Sequence, residues 1–160
     1  MTPSSPAIPA ASPVPFTITP ATLRDLFAAR ALERACFGPD AWGYFEMFAS
    51  LLFPGNTRLK AITDEEMVGL AIGEERRHEH SAWIATIAVH PSHQRRGIGR
   101  ALLSACEAAT RQPIIKLSVR ASNQPAIALY KQFGYQRVNV WSGYYSGGED
   151  GIVMEKHRAQ

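Results

Sequence analysis

Cysteine is scarce. Cys36 and Cys106 are the two thiols in 160 residues, far apart in the chain and in no CxxC or Cys/His pattern. That usage argues against a disulfide framework and against a zinc ligand set, and two small buried or half-buried thiols are expected. Long apolar runs are missing: nothing approaches the roughly 20 residues needed to span a bilayer, so no membrane partner is expected. The N-terminus has no basic n-region and no continuous apolar h-region, so it does not read as a secretion signal, and the cytoplasm is the default compartment. Charge of one sign is not in large excess. Lys and Arg number 17 against 14 Asp and Glu, a formal +3. That favours an anionic ligand somewhere but is too weak for nucleic acid. Arg76-Arg77 and Arg95-Arg96 have no stacking-aromatic pattern beside them, so no nucleic-acid partner is expected. Internal repeats are absent too.

What is present fits one domain able to bury a core: 46% of residues are hydrophobic and 19% charged. Residues 1–15 stand apart. They carry prolines at 3, 6, 9, 13 and 15 among Ser and Ala, with no charge. Proline fixes φ and lacks a donor, so this stretch reads as a disordered or polyproline-like tail ahead of a single domain over 16–160.

Phe16 to Thr19 is a strand candidate, and Thr19-Pro20 reads as N-cap and N1 of a helix stopped by Gly38-Pro39. Asp40 is placed to cap a second helix, Ala41 to about Leu52. Its aromatics (Trp42, Tyr44, Phe45, Phe48) exceed one buried stripe. Most are expected in the core, with the remainder lining a groove. Arg58 to Thr63 and Met67 to Glu74 form a hairpin. Ser81 to Val89 is nearly all apolar or small and reads as central. A helix over Ile98 to Thr110 buries Ile98, Leu102, Ala105 and Ala109. Ile114 to Arg120 alternates as a strand. Asn123 caps a helix running to about Phe133, and Tyr135 to Trp141 and Gly151 to Lys156 are the last strands. The order β-α-α-β-β-β-α-β-α-β-β implies an α/β protein, one mixed sheet with helices on both faces.

The chain is organised around Ile87 to Leu103. An apolar strand breaks at His90-Pro91, turns basic and glycine-containing, and becomes an amphipathic helix. A dinucleotide fingerprint would need Gly or Ala at the sixth position of GxGxxG, counted from Gly97, where Leu102 stands. It would also need a carboxylate near the end of the next strand, where Ser118 and Arg120 stand. A P-loop needs GK[ST], and none follows. What remains is Gln94-Arg95-Arg96-Gly97-Ile98-Gly99 at a strand-to-helix junction. Amide N–H groups at a helix start point at an anion, Gly97 and Gly99 let the backbone approach it, and Arg95, Arg96 and Arg100 add charge. The physics suits a pyrophosphate.

This segment resembles the R/Q-x-x-G-x-G/A signature of the GNAT superfamily of N-acetyltransferases. The match continues through Val119-Arg120-Ala121-Ser122-Asn123, Ala126-Ile127-Ala128-Leu129-Tyr130 and Phe133-Gly134-Tyr135. That block resembles the RimI branch, N-terminal acetyltransferases of ribosomal-protein alanine, as does Tyr144-Tyr145 with Glu149-Asp150. The resemblance implies a GNAT fold: a single, mostly antiparallel mixed sheet of about seven strands with four helices packed on both faces. It implies acetyl-CoA as cosubstrate and no metal. Ile87, Ala88 and Val89 would offer backbone groups to the pantetheine arm and thioester carbonyl. Arg95, Arg96, Gly97, Ile98, Gly99 and Arg100 would hold the pyrophosphate, and Asn123 would hydrogen-bond the cofactor. Tyr130 would be the general acid for the leaving thiolate. Tyr144 and Tyr145 would orient the acceptor.

The chain departs from that pattern at the base. The RimI branch carries a glutamate two residues before the arginine of V-R-A-S-N; here Ser118 stands there. Other members place one near the start of the preceding strand, where this chain has His80-Ser81-Ala82-Trp83. An α-amine of pKa near 8 is about one-tenth neutral at pH 7, so lacking a base costs about 1.4 kcal/mol. A lysine near 10.4 is neutral about once in 2,500, closer to 4–5 kcal/mol. The vacancy favours a protein N-terminus as acceptor over lysine, with a small-molecule amine as the alternative. His80, His90, Glu149 and Asp150 are candidate substitutes acting through water. A non-catalytic acyl-CoA-binding module is the competing reading, with Tyr130 speaking against it. A monomer or weak homodimer is expected.

Overall fold

The computed structural model describes residues 15–159. Apart from Pro15, whose carbonyl accepts from Thr63 Oγ1 at 3.0 Å, the proline-rich stretch read as a tail lies outside the described residues. Seven strands and four α-helices follow in the expected order: β1 (Thr17–Pro20), α1 (Leu26–Phe37), α2 (Tyr44–Leu52), β2 (Asn56–Thr63), β3 (Glu66–Arg76), β4 (Ser81–Val89), α3 (Ile98–Ala109), β5 (Ile114–Arg120), α4 (Gln124–Gln132), β6 (Gln136–Trp141) and β7 (Gly151–His157). They form one sheet in the order β1-β2-β3-β4-β5-β7-β6. Every neighbouring pair is antiparallel except β4 and β5. The mixed, mostly antiparallel sheet with four helices is the fold expected.

Two apolar clusters cover the two faces. One gathers Ile98, Leu102, Leu103 and Cys106 of α3 and Ile127 and Tyr130 of α4 against Ile115, Leu117 and Val119 of β5. The other packs Ala29 and Leu32 of α1 and Met47 and Leu51 of α2 on Leu70, Ile72 and Ala88. Each fully buried Leu or Ile contributes about 1.5–3 kcal/mol. The α3 stripe is rotated from the expected one, because Leu103 and Cys106 are buried where Ala105 and Ala109 were expected. The larger side chains remove more apolar surface from water. An added Cβ on Gly69 of β3 would meet Leu102 Cδ1 at 2.8 Å and Ile98 Cγ2 at 3.1 Å. A bare glycine there lets α3 seat directly on the sheet, fixing where its N-terminus points.

Three local expectations give way. Pro20 ends β1 rather than opening a helix: the Ala21 N–H still bonds Arg58 O at 3.0 Å. A capping box of Thr22 and Asp25 starts the turn instead. Asp40 does not cap α2, which begins at Tyr44 behind Gly43; its carboxylate is used elsewhere. The aromatics of α2 are not mostly core. Met47, Ser50 and Leu51 are buried, while Tyr44, Phe45 and Phe48 are exposed. Both sides of that helix are apolar, so periodicity could not choose between them. Among the described residues no helix is long and apolar enough to cross a membrane.

Candidate active site

β4 and β5 start as a parallel pair and then part. Their register holds for Ser81↔Ile114, Ala82↔Ile115 and Trp83↔Lys116 and goes no further. β4 continues to Val89 and β5 to Arg120. Beyond Trp83, β4 is therefore paired on its β3 side but not along β5. The expected Ile87, Ala88 and Val89 lie on this open stretch. The Val89 carbonyl is already occupied, accepting from Gln94 Nε2 at 3.1 Å and from the Cys36 thiol at 3.2 Å. Alternate residues share an edge of a strand: the Val89 carbonyl lies on the open side, so Ile87 offers its backbone groups there, while Ala88 faces Leu70 on the β3 side, as the His90 N–H faces Val68 O.

The loop after β4 is set by local chemistry. His90 Nδ1 accepts from the Ser92 N–H at 3.2 Å, and Ser92 Oγ lies 2.7 Å from His90 Nδ1 and 2.8 Å from His93 Nδ1. Arg95 (φ 62°) and Gly97 (φ 82°) are left-handed. Gly97 is the N-cap of α3 and supplies no side-chain cap. The first intrahelical donor is Ala101, bonded to Gly97 O at 3.0 Å. The N–H groups of Ile98, Gly99 and Arg100 are thus left for an anion, at the positive end of the helix dipole. The Arg95 side chain is exposed and Arg96 half-exposed beside them. Arg100 departs from the expectation: its guanidinium bonds Gln132 Oε1 and lies 5.4 Å from the Phe133 ring, turned toward α4. Its backbone N–H, not its charge, remains for the cradle.

Asn123 caps α4 through Oδ1, which accepts from Ala126 N at 3.3 Å. Its side-chain amide is the donor left to offer a ligand. Tyr130, on α4, is 9% exposed. Burial pushes its phenol up to about 12, with a smaller contribution from Tyr145. It is therefore a neutral O–H at any physiological pH.

On the opposite face of β5, Ser118 Oγ lies 3.0 Å from Tyr145 Oη. Burial raises the Tyr145 phenol, and the Ser118 hydrogen bond partly offsets that. Tyr144 packs on Tyr145 with ring centroids 4.9 Å apart. The row continues through Trp141 at 4.8 Å from Tyr144 and Trp83 at 5.7 Å from Trp141. Tyr145 thus stands against Ser118 with Tyr144 packed on its ring, and the two tryptophans continue this aromatic row.

The proposed substitute bases are committed elsewhere. Glu149 accepts from Ser122 N at 3.1 Å and pairs with Arg120 at 3.3 Å. The Ser122 hydrogen bonds, then Arg120, hold it below the usual carboxylate range. Asp150 Oδ1 accepts from Gly143 N at 2.9 Å, bracing the β6–β7 loop. His80 sits in the turn before β4, roughly 30 Å of strand from His90. His90 belongs to the cradle loop.

Residue reasoning missed Glu33. It is 2% exposed on α1, and Thr86 Oγ1 of β4 donates to it at 3.0 Å. Burial raises its carboxyl; hydrogen bonds from Thr86 and the Trp42 backbone and the charge of Arg30 pull against that. The signal was available: Glu33 occupies the same stripe as Ala29, Leu32 and Cys36, where a charge is out of place.

An open strand edge, an uncapped helix end and a buried phenol beside a serine-tyrosine pair suit acyl transfer from a thioester carrying a pyrophosphate. Residues 25–135 match the family model described as the Acetyltransferase (GNAT) family. The chain belongs to that family. It is 34% identical over 148 residues, 89% of this chain and 92% of the other, to the N-alpha-acetyltransferase RimI of Mycobacterium tuberculosis. It is 41% identical over 102 residues, 60% of this chain and 68% of the other, to the [Ribosomal protein bS18]-alanine N-acetyltransferase of Salmonella typhimurium. The crystal structure of the ribosomal-protein-S18-alanine N-acetyltransferase from Escherichia coli superimposes with a TM-score of 0.78 at 31% identity, covering 91% of this chain and 95% of that one. The resemblance to the RimI branch is thereby borne out. This GNAT protein is an acetyl-CoA-dependent N-acetyltransferase.

Proposed function

We propose that this GNAT enzyme acetylates protein N-terminal α-amines in the manner of its RimI relatives, acting in the cytoplasm through residues 16–160. The observation that carries the reading is Ser118 bonded to Tyr145 where a carboxylate was expected. An α-amine is the acceptor that tolerates this, because about a tenth of it is neutral at pH 7 without help.

The geometry supports the following roles. Acetyl-CoA enters on the α3/α4 face. Its pyrophosphate meets the N–H groups of Ile98, Gly99 and Arg100, with Arg95 and Arg96 alongside and the Asn123 amide nearby. The pantetheine arm runs along the open edge at Ile87 and the Val89 N–H. Backbone N–H groups there hold the oxyanion as the amine attacks. The amine approaches from the α1/α2 face past Tyr144 and Tyr145. As the C–S bond breaks, the Tyr130 O–H donates to sulfur, and the proton shed by the amine leaves through water. A phenol near 12 is a weaker acid than a thiol near 8.5, so Tyr130 acts by donating as charge builds on sulfur, not by ionising beforehand.

The test follows thiol release from acetyl-CoA with short peptides bearing free N-termini and with small amines. Thiol release with the peptides supports the proposal. Thiol release with small amines alone redirects it to that acceptor class. Thermal stabilisation by CoA with no thiol from any amine identifies an acyl-CoA-binding module instead.

A further inference from the structure

Arg120 ends β5, two residues past Ser118, and so projects from the same face. Three separate segments meet at its guanidinium. Asp40, in the connection between α1 and α2, forms an ion pair with it. Glu149, in the β6–β7 loop, pairs with it at 3.3 Å. Ser146, in the same loop, accepts from it at 2.9 Å through Oγ and 3.4 Å through the carbonyl. The guanidinium also lies 5.1 Å from the centre of the Tyr145 ring.

The two loops are tied directly as well. Ser146 N donates to Asp40 Oδ1 at 2.9 Å, and Ser146 Oγ lies 3.2 Å from Asp40 Oδ2. Asp40 is held below the usual carboxylate range by the Ser146 backbone first and by Arg120 after it. Both Asp40 and Glu149 therefore stay ionised through neutral pH, and two carboxylates face one guanidinium. The fork geometry of Arg suits several oxygens at once, and hydrogen bonds between ionised partners are the stronger kind.

We propose that Arg120 and Asp40 form a clasp that closes the α1–α2 connection onto the β6–β7 loop and so shapes the acceptor groove. Arg120 is a positioning residue. Its guanidinium fixes the ring of Tyr145, and the Tyr145 hydroxyl is thereby held against Ser118, where the acceptor amine is proposed to arrive. Asp40 supplies the far anchor from the other wall. The Arg120 and Asp40 side chains touch neither the pyrophosphate cradle nor the open edge of β4, and Arg120 meets Asn123 only through its backbone carbonyl, so the clasp governs the acceptor and leaves acetyl-CoA alone. This rests on the N-terminal acetyltransferase reading given above.

The test is steady-state kinetics on the full chain with a free-N-terminus peptide and acetyl-CoA. The variants are Asp40→Asn, Ser146→Ala, Arg120→Lys, Arg120→Met and the Asp40→Asn/Arg120→Met pair. Asp40→Asn and Arg120→Met should each raise the peptide KM by roughly tenfold, the loss of a charge-assisted contact. The acetyl-CoA KM should move by less than about twofold, the usual scale of an uncoupled site. The pair should be no worse than the poorer single variant, because both break one clasp. Arg120→Lys should recover only part of the loss. If Arg120→Met does not fold, Asp40→Asn and Ser146→Ala carry the same comparison. An active wild type with an unchanged peptide KM in Asp40→Asn overturns the clasp alone. So does an equal rise in both KM values. A wild type that acetylates no peptide overturns the N-terminal acetyltransferase reading and the clasp with it.

Discussion

The hydroxyls of Ser118 and Tyr145 lie 3.0 Å apart on the face of β5 turned away from the cofactor cradle. A serine has no useful basicity at neutral pH, so this pair can orient an amine but cannot deprotonate it. In the wild type, kcat/KM for a peptide should rise with pH along the titration of the acceptor α-amine, near 8. Ser118→Glu should move that rise toward lower pH and increase the rate at pH 7 by up to about tenfold. A pH–rate profile of both proteins decides it. A wild-type profile already bending near pH 6 would reveal an enzymic base that this account lacks.

Tyr130, a phenol and so neutral near pH 7 in any case, is pushed up further by burial, to about 12. Tyr130→Phe removes one hydroxyl and little else. The turnover number should fall by roughly 10²–10⁴, the usual scale for a positioned proton donor. CoA affinity, read by thermal shift, should hardly move. Unchanged turnover would remove the general-acid role.

Gly97 has a φ of 82°, and an added Cβ would meet nothing within 4 Å. The requirement there is conformational, not steric crowding. Gly97→Ala should cost about 1–2 kcal/mol of stability and misdirect the N–H groups that open α3. The expected signature is a lower melting temperature together with a raised acetyl-CoA KM at unchanged peptide KM. A peptide KM that rises instead would place this loop on the wrong side of the site.

The strand, loop and helix of the proposed cofactor side were legible because they are local. They run consecutively from Ile87 to Leu103, so spacing carried their layout. Two details escaped: the Arg100 side chain is taken by Gln132 on α4, and the Val89 carbonyl by Cys36 and Gln94. The proposed acceptor side is assembled from distant pieces. Asp40 meets Arg120 across 80 positions and Ser146 across 106. No periodicity reports such pairings, which is why Asp40 read as a helix cap.

Glu33 makes stability depend on pH in an unusual direction. Its carboxyl is raised in the folded chain, mainly by burial. Above the unfolded-state value near 4.3 the unfolded chain releases this proton first and binds fewer protons than the folded one. Stability is therefore lost as pH rises from there toward the folded value. Glu33→Gln removes the titration and keeps an oxygen for Thr86. Its melting temperature, relative to wild type, should climb between pH 4.5 and pH 7. A constant difference across that range would mean that Glu33 does not titrate on folding.

The central claim is that the acceptor is an α-amine, tolerated because no base is present at Ser118. The most direct measurement offers the enzyme, at pH 7, one peptide with a free N-terminus and no lysine and one with a blocked N-terminus and a single lysine, and resolves the products by mass. The neutral fractions of the two amines differ by roughly two hundredfold at that pH. The account predicts acetylation of the free N-terminus faster by at least about that order. Comparable acetylation of the lysine peptide would contradict it.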